Sequence, residues 1–355
     1  MSRTYQETKN RLYLKAKLDS NRRIKYDFNI KRRKPMNEIN INNSEEFVKL
    51  CFADDCKNFW ENFSKWSKET FSGIYYSQEK GTLYDPDDKS DTLYQCHKIL
   101  WRKQYKYYEK SIKSIKDIEN FSKNERYLDI DGIPCSSDSI ISIYWHWADM
   151  QEIIKKAKPK EIKSEITKIL KEIEPNYEKR YYNEEWDNET LDRNLLKKFI
   201  WLYLQKSNTI GGFIVFPKNN LSINVRRGNY RGAIKDRFDL TLECIRRAYQ
   251  YGDFDSNEIN PLFGISEEEK TFFKMFSNFE NYINFFCLNP WVKCDYSAVY
   301  DLLSEDKSKT LPTDGWPVTH KILPQNSKEW WTFYNNIMSR LKARNQQIKE
   351  VIERK

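Results

Sequence analysis

The sequence predicts an α+β fold, predominantly helical, with a small sheet that includes strands near 210–216 and 221–225. Three observations predict it. Apolar residues recur at helical spacing through most of the 355 residues. One stretch, Thr209–Pro217, is instead β-branched and aromatic and ends in proline. With 10 Gly and 11 Pro, turn formers are too few for a turn-dense β-sandwich.

The elements follow in order. Residues 1–35 form a basic arm, in which Ile24, Tyr26, Phe28 and Ile30 alternate with polar residues. Residues 36–355 read as a single, mainly helical domain. Ser44 opens a helix toward Phe71, with Glu45 and Glu46 at the positive end of its dipole. Residues 81–90 (GTLYDPDDKS) are a loop, and a helix then runs from about Asp91 through Leu100 and Trp101 toward Ile112. A short strand fits Tyr127–Ile130. Ser136–Ser139 has the look of a helix start leading to Ile154, because serine and aspartate cap helices. A lysine-rich insertion spans about 158–197. It contains a Lys/Glu helix over 160–174 with Ile162, Ile166, Ile169 and Ile173 on one stripe. Another helix covers about 192–205. The strands at 209–217 and 221–225 precede a basic loop, 226–235. Asp236 is expected to cap a helix to about Tyr251. Ser266 and Glu269 make a capping box for one aromatic helix ending near Asn289. Pro312, Pro317 and Pro324 space an extended stretch, and the last helix spans Ser327–Glu353.

Charge divides the chain. Lys+Arg number 61 and Asp+Glu 52, a net charge of +9. Residues 1–35 hold twelve bases and three acids, so the 49 bases and 49 acids of the remainder balance. No apolar run reaches the roughly 20 residues of a membrane helix, and the N-terminus lacks a secretory core. Seven scattered cysteines without a CxxC read as reduced thiols. The expected location is the cytoplasm, with no membrane partner.

The segment with most chemistry is 226–250. Arg226, Arg227, Arg231, Lys235 and Arg237 cluster around Gly228 and Gly232, directly before a helix N-terminus. Backbone N–H groups, the dipole and guanidiniums together suit a phosphate or other anion. On the following helix, Asp236, Asp239, Glu243, Arg246 and Arg247 share one arc about 100° wide. Two readings of this strip stand side by side. It is a solvated or structural ion-pair face, or it lines a cleft where Asp236, Asp239 and Glu243 act as acid–base or cation-binding groups and Arg246 and Arg247 add to the anion seat. No Walker A or GxGxxG motif is present. His97, His146 and His320 lack zinc spacing, so each reads as structural, and no metal site or cofactor is assigned.

Several blocks carry a resemblance: DPDDKSDTLYQCHKILWRK (85–103), SSDSII (136–141), and 209–250 from TIGGFIVFP to DLTLECIRRAYQ. Weaker ones are FSNFENYINFFCL (276–288) and ARNQQI (343–348). Together they resemble a bacterial family that carries a domain of unknown function. The resemblance spans most of 81–350 and implies that the strand–loop–helix block is the family's centre. It implies no catalytic residue.

Three functions follow as expectations. The first is a nucleic-acid-associated protein of a defence system or mobile element, with Tyr5, Tyr13 and Tyr26 interleaved in the basic arm. The second is an enzyme or sensor for a small phosphorylated ligand, using the acidic residues of helix 236–250. The third is a structural protein that docks a partner on the Ile stripe at 162–173 and on Trp330, Trp331 and Phe333 of the last helix.

Overall fold

The computed structural model describes residues 44–45, 91–108, 128–130, 132–141, 207, 209–217, 223, 237–252, 254, 260, 262–263, 267–313, 324 and 326–354. The basic arm, most of the helix expected over 44–71, the lysine-rich insertion and the 226–235 loop lie outside the described residues. Residues 41–355 form one compact unit.

Five helices are described: α1 (Asp91–Tyr108), α2 (Phe238–Tyr251), α3 (Glu267–Lys274), α4 (Phe279–Phe285) and α5 (Ser327–Glu353). The strands are β1 (Leu128–Ile130), β2 (Ile133–Ser139) and β3 (Phe213–Pro217). They form an antiparallel sheet in the order β1-β2-β3. The fold is α+β and predominantly helical, as the apolar spacing predicts. No described helix is long and apolar enough to cross a membrane.

The sheet corrects two expectations. Ser136–Ser139 does not start a helix; it completes β2. Ile133, Cys135 and Ser137 are buried on alternate positions, and Cys135 through Ser139 pair with Pro217 through Phe213. The serines that resemble a cap are poor helix formers, and the ladder offered by β3 decides their conformation. The second correction concerns the strand expected at 221–225. Its described residue, Ile223, is helical and buried, so the partner of β3 is β2. Gly132 (φ 81°) turns the chain between β1 and β2, where a left-handed backbone favours glycine.

All five β3 residues are buried. Pro217 ends the strand, as proline at an edge does. Before it, Ile210–Gly212 make a 3₁₀ turn, so the strand starts later than Thr209.

The single aromatic helix expected over 266–289 is two helices. Ser277 adopts φ 65°, and Asn278 caps α4 by accepting from the Asn281 N–H at 2.8 Å. The break lets Phe272, Phe273 and Phe276 on one side face Tyr282, Phe285 and Phe286 on the other, with ring centroids 5.2–6.1 Å apart in the pairs formed. A continuous helix would spread these rings around its circumference. Trp101 of α1 meets the same cluster, 4.9 Å from Phe286 edge-on. Aromatic packing of this kind replaces the aliphatic core that the composition lacks.

Helix α5 starts and ends where its pattern predicts, with Asn326 as N-cap. Its Trp330, Trp331 and Phe333 are buried, so they belong to the core rather than to a docking patch. Two further α5 residues fasten the centre of the fold. Arg344 is fully buried, and its guanidinium donates to three backbone carbonyls: Gly211 (2.8 Å), Phe213 (2.8 Å) and Phe286 (3.0 and 3.2 Å). Asn345 accepts from the Gly211 N–H (2.9 Å) and donates to Thr209 Oγ1 (2.7 Å). The pair ties α5 to the entry of β3 and the end of α4.

Candidate functional site

Helix α2 begins at Phe238, with Arg237 at its N-cap position, and ends at Gly252 in the left-handed conformation. Its apolar arc packs inward. The charged arc is buried as well: Asp239 and Glu243 are fully inaccessible, Arg237 is 1 % exposed and Arg246 6 %. Buried charge of this kind persists only when paired, and the pairing is complete.

Arg237 donates through Nε to Asp239 Oδ1 (2.7 Å) and through Nη2 to Asp239 Oδ2 and to Asp301 (3.2 Å). Asp239 Oδ2 also accepts the Leu302 N–H at 3.0 Å. Burial opposes the Arg237 charge, but Asp239, and then Asp301, outweigh it and hold the guanidinium pKa above its ordinary value. Further along, Glu243 accepts from Arg246 Nε (2.8 Å), Arg246 Nη2 (2.8 Å) and Arg247 Nε (2.7 Å). Arg246 also donates to Gln250 Oε1 at 2.6 Å, and Arg247 reaches the Thr313 carbonyl at 3.3 Å.

This geometry assigns the strip a structural role. Both oxygens of each carboxylate are engaged, and neither carboxylate reaches solvent. A general base or a cation ligand needs an open side facing the reacting group. Asp239 and Glu243 are thus engaged by Arg237, Arg246 and Arg247, and these guanidiniums by the carboxylates. They clasp the segments at 301–302 and 313 onto α2. Asp236, Arg226, Arg227, Arg231 and Lys235 lie outside the described residues. Among the described residues, no group of His, Cys, Asp and Glu is placed to hold a metal ion.

His97 is buried and stacked on Trp101. Trp101 Nε1–H donates to His97 Nδ1 (3.1 Å), so the ring proton sits on Nε2 and points to Ser137 Oγ (3.0 Å). A base that activates serine needs the opposite arrangement, with Nε2 free to accept. Burial, and then the nearby Arg344 charge, lower the His97 pKa to about 3. The ring is a neutral core group, consistent with the structural role its sequence context implies. His146 and His320 lie outside the described residues. The described cysteines 96, 135, 244, 287 and 294 are free thiols.

A cleft that the sequence does not announce opens between the 300–308 loop and α5. Its volume is about 330 Å³, and it is lined by Tyr300, Lys307, Ser308, Asn336, Ser339 and Arg340. The Arg340 guanidinium lies 4.4 Å above the Tyr300 ring and donates to the carbonyls of Pro290 and Lys307 (3.1 Å). The Arg237–Asp239–Asp301 network holds the loop from beneath. Lys307 and Arg340 are 33 positions apart and share no motif, so only the folded chain brings them together.

A family model matches residues 72–174 and 172–348. The chain belongs to a family of unknown function, DUF6994. No curated protein and no solved structure matches it. The DUF6994 region contains every described helix and strand except the last turn of α5, and it leaves out residues 1–71. The blocks that carry the family resemblance meet one another in the structure. His97 of block 85–103 bonds Ser137 of block 136–141. Arg344 of block 343–348 bonds Gly211 of block 209–250 and Phe286 of block 276–288. Residues of these blocks thus hold the fold together.

Proposed function

We propose that this chain is a cytoplasmic bacterial protein that associates with nucleic acid, contacting phosphate groups through residues 1–35 and the 226–235 loop. The observation that carries the reading is the placement of charge: the whole excess of +9 lies in residues 1–35, ahead of a neutral remainder. A polyanion attracts such a segment by releasing its condensed counterions, and Tyr5, Tyr13 and Tyr26 add rings on which bases stack. The ion pairs of α2 narrow the contact set. Arg237, Arg246 and Arg247 are committed to Asp239, Asp301 and Glu243. The loop contribution then rests on Arg226, Arg227, Arg231 and Lys235.

The test is a salt titration of DNA and RNA binding by fluorescence anisotropy. The full chain is compared with one in which Arg22, Arg23, Arg32 and Arg33 are alanine. Each phosphate contact contributes about 0.9 to the slope of log K against log salt on a duplex, so four lost contacts reduce it by about 3 to 4. A flat titration for the unaltered chain refutes the reading.

A further inference from the structure

Two arginines of α5 stand one turn apart, and neither has a carboxylate within ion-pairing distance among the described residues. Arg344 is closed in by carbonyls. Arg340 opens onto the cleft. We propose that this cleft binds a small phosphate monoester, with Lys307, Ser339 and Arg340 holding the phosphate.

Among the described residues the lining is cationic and hydroxylic and contains no carboxylate. The acids of the adjoining loop have partners within it or beside it, Asp306 at the cleft's rim. Asp301 takes Arg237 and the Leu303 N–H (2.9 Å). Asp306 accepts the Ser308 N–H (2.9 Å) and hydroxyl (2.6 Å), which also removes that hydroxyl as a donor. Glu305 pairs with Lys328 at 2.5 Å. Lys307 makes no ion pair among the described residues. Arg340 is fixed from three sides by the Pro290 and Lys307 carbonyls and the Tyr300 ring, so an arriving anion does not have to order it. Burial draws its pKa down, yet a guanidinium stays charged at neutral pH. Its charge is thus partly desolvated and lacks a direct counter-ion, the setting in which an oxyanion gains most.

Size and polarity narrow the ligand. About 330 Å³ lies at the small end of ligand pockets, which run from about 300 to 1,000 Å³. That suits a phosphate with one small organic group rather than a polymer. Asn336 uses its amide N–H groups on the Leu302 (3.0 Å) and Ser304 (2.8 Å) carbonyls, which leaves Oδ1 as an acceptor in the lining. A ligand that carries hydroxyl groups beside its phosphate matches this set.

The experiment uses the full chain, with ribose 5-phosphate, inorganic phosphate and an oligonucleotide lacking terminal phosphates as probes. Binding is followed by calorimetry, with chloride holding ionic strength constant. The variants are Lys307→Glu and Ser339→Glu, both at exposed positions, so their unliganded melting serves as a control for folding. Ribose 5-phosphate is expected to bind more tightly than inorganic phosphate. Both variants are expected to weaken it at least tenfold while leaving oligonucleotide binding unchanged. The proposal falls if ribose 5-phosphate does not bind at about 10 mM, a level that detects even interactions weaker than the roughly −4 kcal/mol of a millimolar complex. It also falls if the variants bind ribose 5-phosphate like the unaltered chain, or if they weaken only the oligonucleotide. Arm variants leave this result untouched, so the cleft and the arm fail or succeed separately.

Discussion

Replacing Arg344 with methionine tests the account of the fold most directly. The side chain has similar reach but no donors. Its four hydrogen bonds end on the carbonyls of Gly211, Phe213 and Phe286. A hydrogen bond from a charged donor contributes about 1.5–3 kcal/mol net, and a buried carbonyl left without a partner costs about 1–3 kcal/mol. Set against this is the relief of no longer burying a cation, worth several kcal/mol. That burial is severe enough to draw the guanidinium pKa down to about 10. Three stranded carbonyls outweigh the relief, and the expected net loss is about 3–5 kcal/mol, as for other broken buried networks. At about 2–4 °C per kcal/mol for a sizeable domain, melting falls by about 10 °C. Arg344→Lys keeps the charge but loses the planar fork, so it is expected to fall between the two. The assay is thermal and urea denaturation followed by circular dichroism. Methionine within about 1 kcal/mol of the unaltered chain would show that desolvation cancels the bonds. The clamp would then hold nothing together.

Two further predictions follow from the same core. His97 has a folded pKa of about 3 against an ordinary 6.5, so between these values the unfolded chain binds a proton that the folded chain refuses. Stability from this group is complete above pH 6.5 and falls on acidification by about 1.4 kcal/mol per pH unit; denaturation between pH 4 and 7 should show that slope reduced in His97→Gln, and an equal slope in both proteins contradicts it. At the entry of β3, a methyl group on Gly212 overlaps the Ser207 backbone carbonyl, whereas one on Gly211 meets only the Asn345 side chain. Gly212→Ala is therefore expected to cost at least 2 kcal/mol more than Gly211→Ala by urea denaturation, about the size of a steric core defect; equal costs would mean that the backbone yields freely there.

Local signals were legible wherever the neighbours in sequence decide the structure. The limits of α5, the apolar arc of α2 and the strand character of 213–217 all come from spacing and composition within one segment. Where the deciding partner is remote, the reading fails in an intelligible way. Ser136–Ser139 carries a real capping signal, but β3, nearly eighty residues later, recruits it into a ladder. The aromatic run at 266–289 has continuous helical spacing, yet closing Phe272, Phe276 and Phe286 into one cluster requires a break at Ser277. The charged strip of α2 is correctly gathered on one arc. What covers it is the backbone at Leu302 and Thr313, more than sixty residues away, and no helical wheel contains those atoms. The cleft is illegible for the same reason, since Lys307 sits in an ordinary polar loop and Arg340 in an ordinary helical register.

These separations bear on where activity resides. A polar group already bonded on every side inside the core has nothing left for a ligand. That is the condition of Asp239, Glu243, Arg344 and His97, all of which lie in the blocks that carry the family resemblance. In the cleft proposed above, the groups with unspent capacity among the described residues are the Lys307 ammonium, the Ser339 hydroxyl and the Arg340 guanidinium. The argument extends by charge alone to residues 1–35, whose bases outnumber their acids four to one. If activity followed the family blocks, disabling Glu243 would abolish ligand binding at unchanged stability. The pairing of Glu243 with both Arg246 and Arg247 requires the reverse order: Glu243→Ala strands the buried Arg246 guanidinium and the partly exposed Arg247 and loses about 3 kcal/mol of stability before any binding changes.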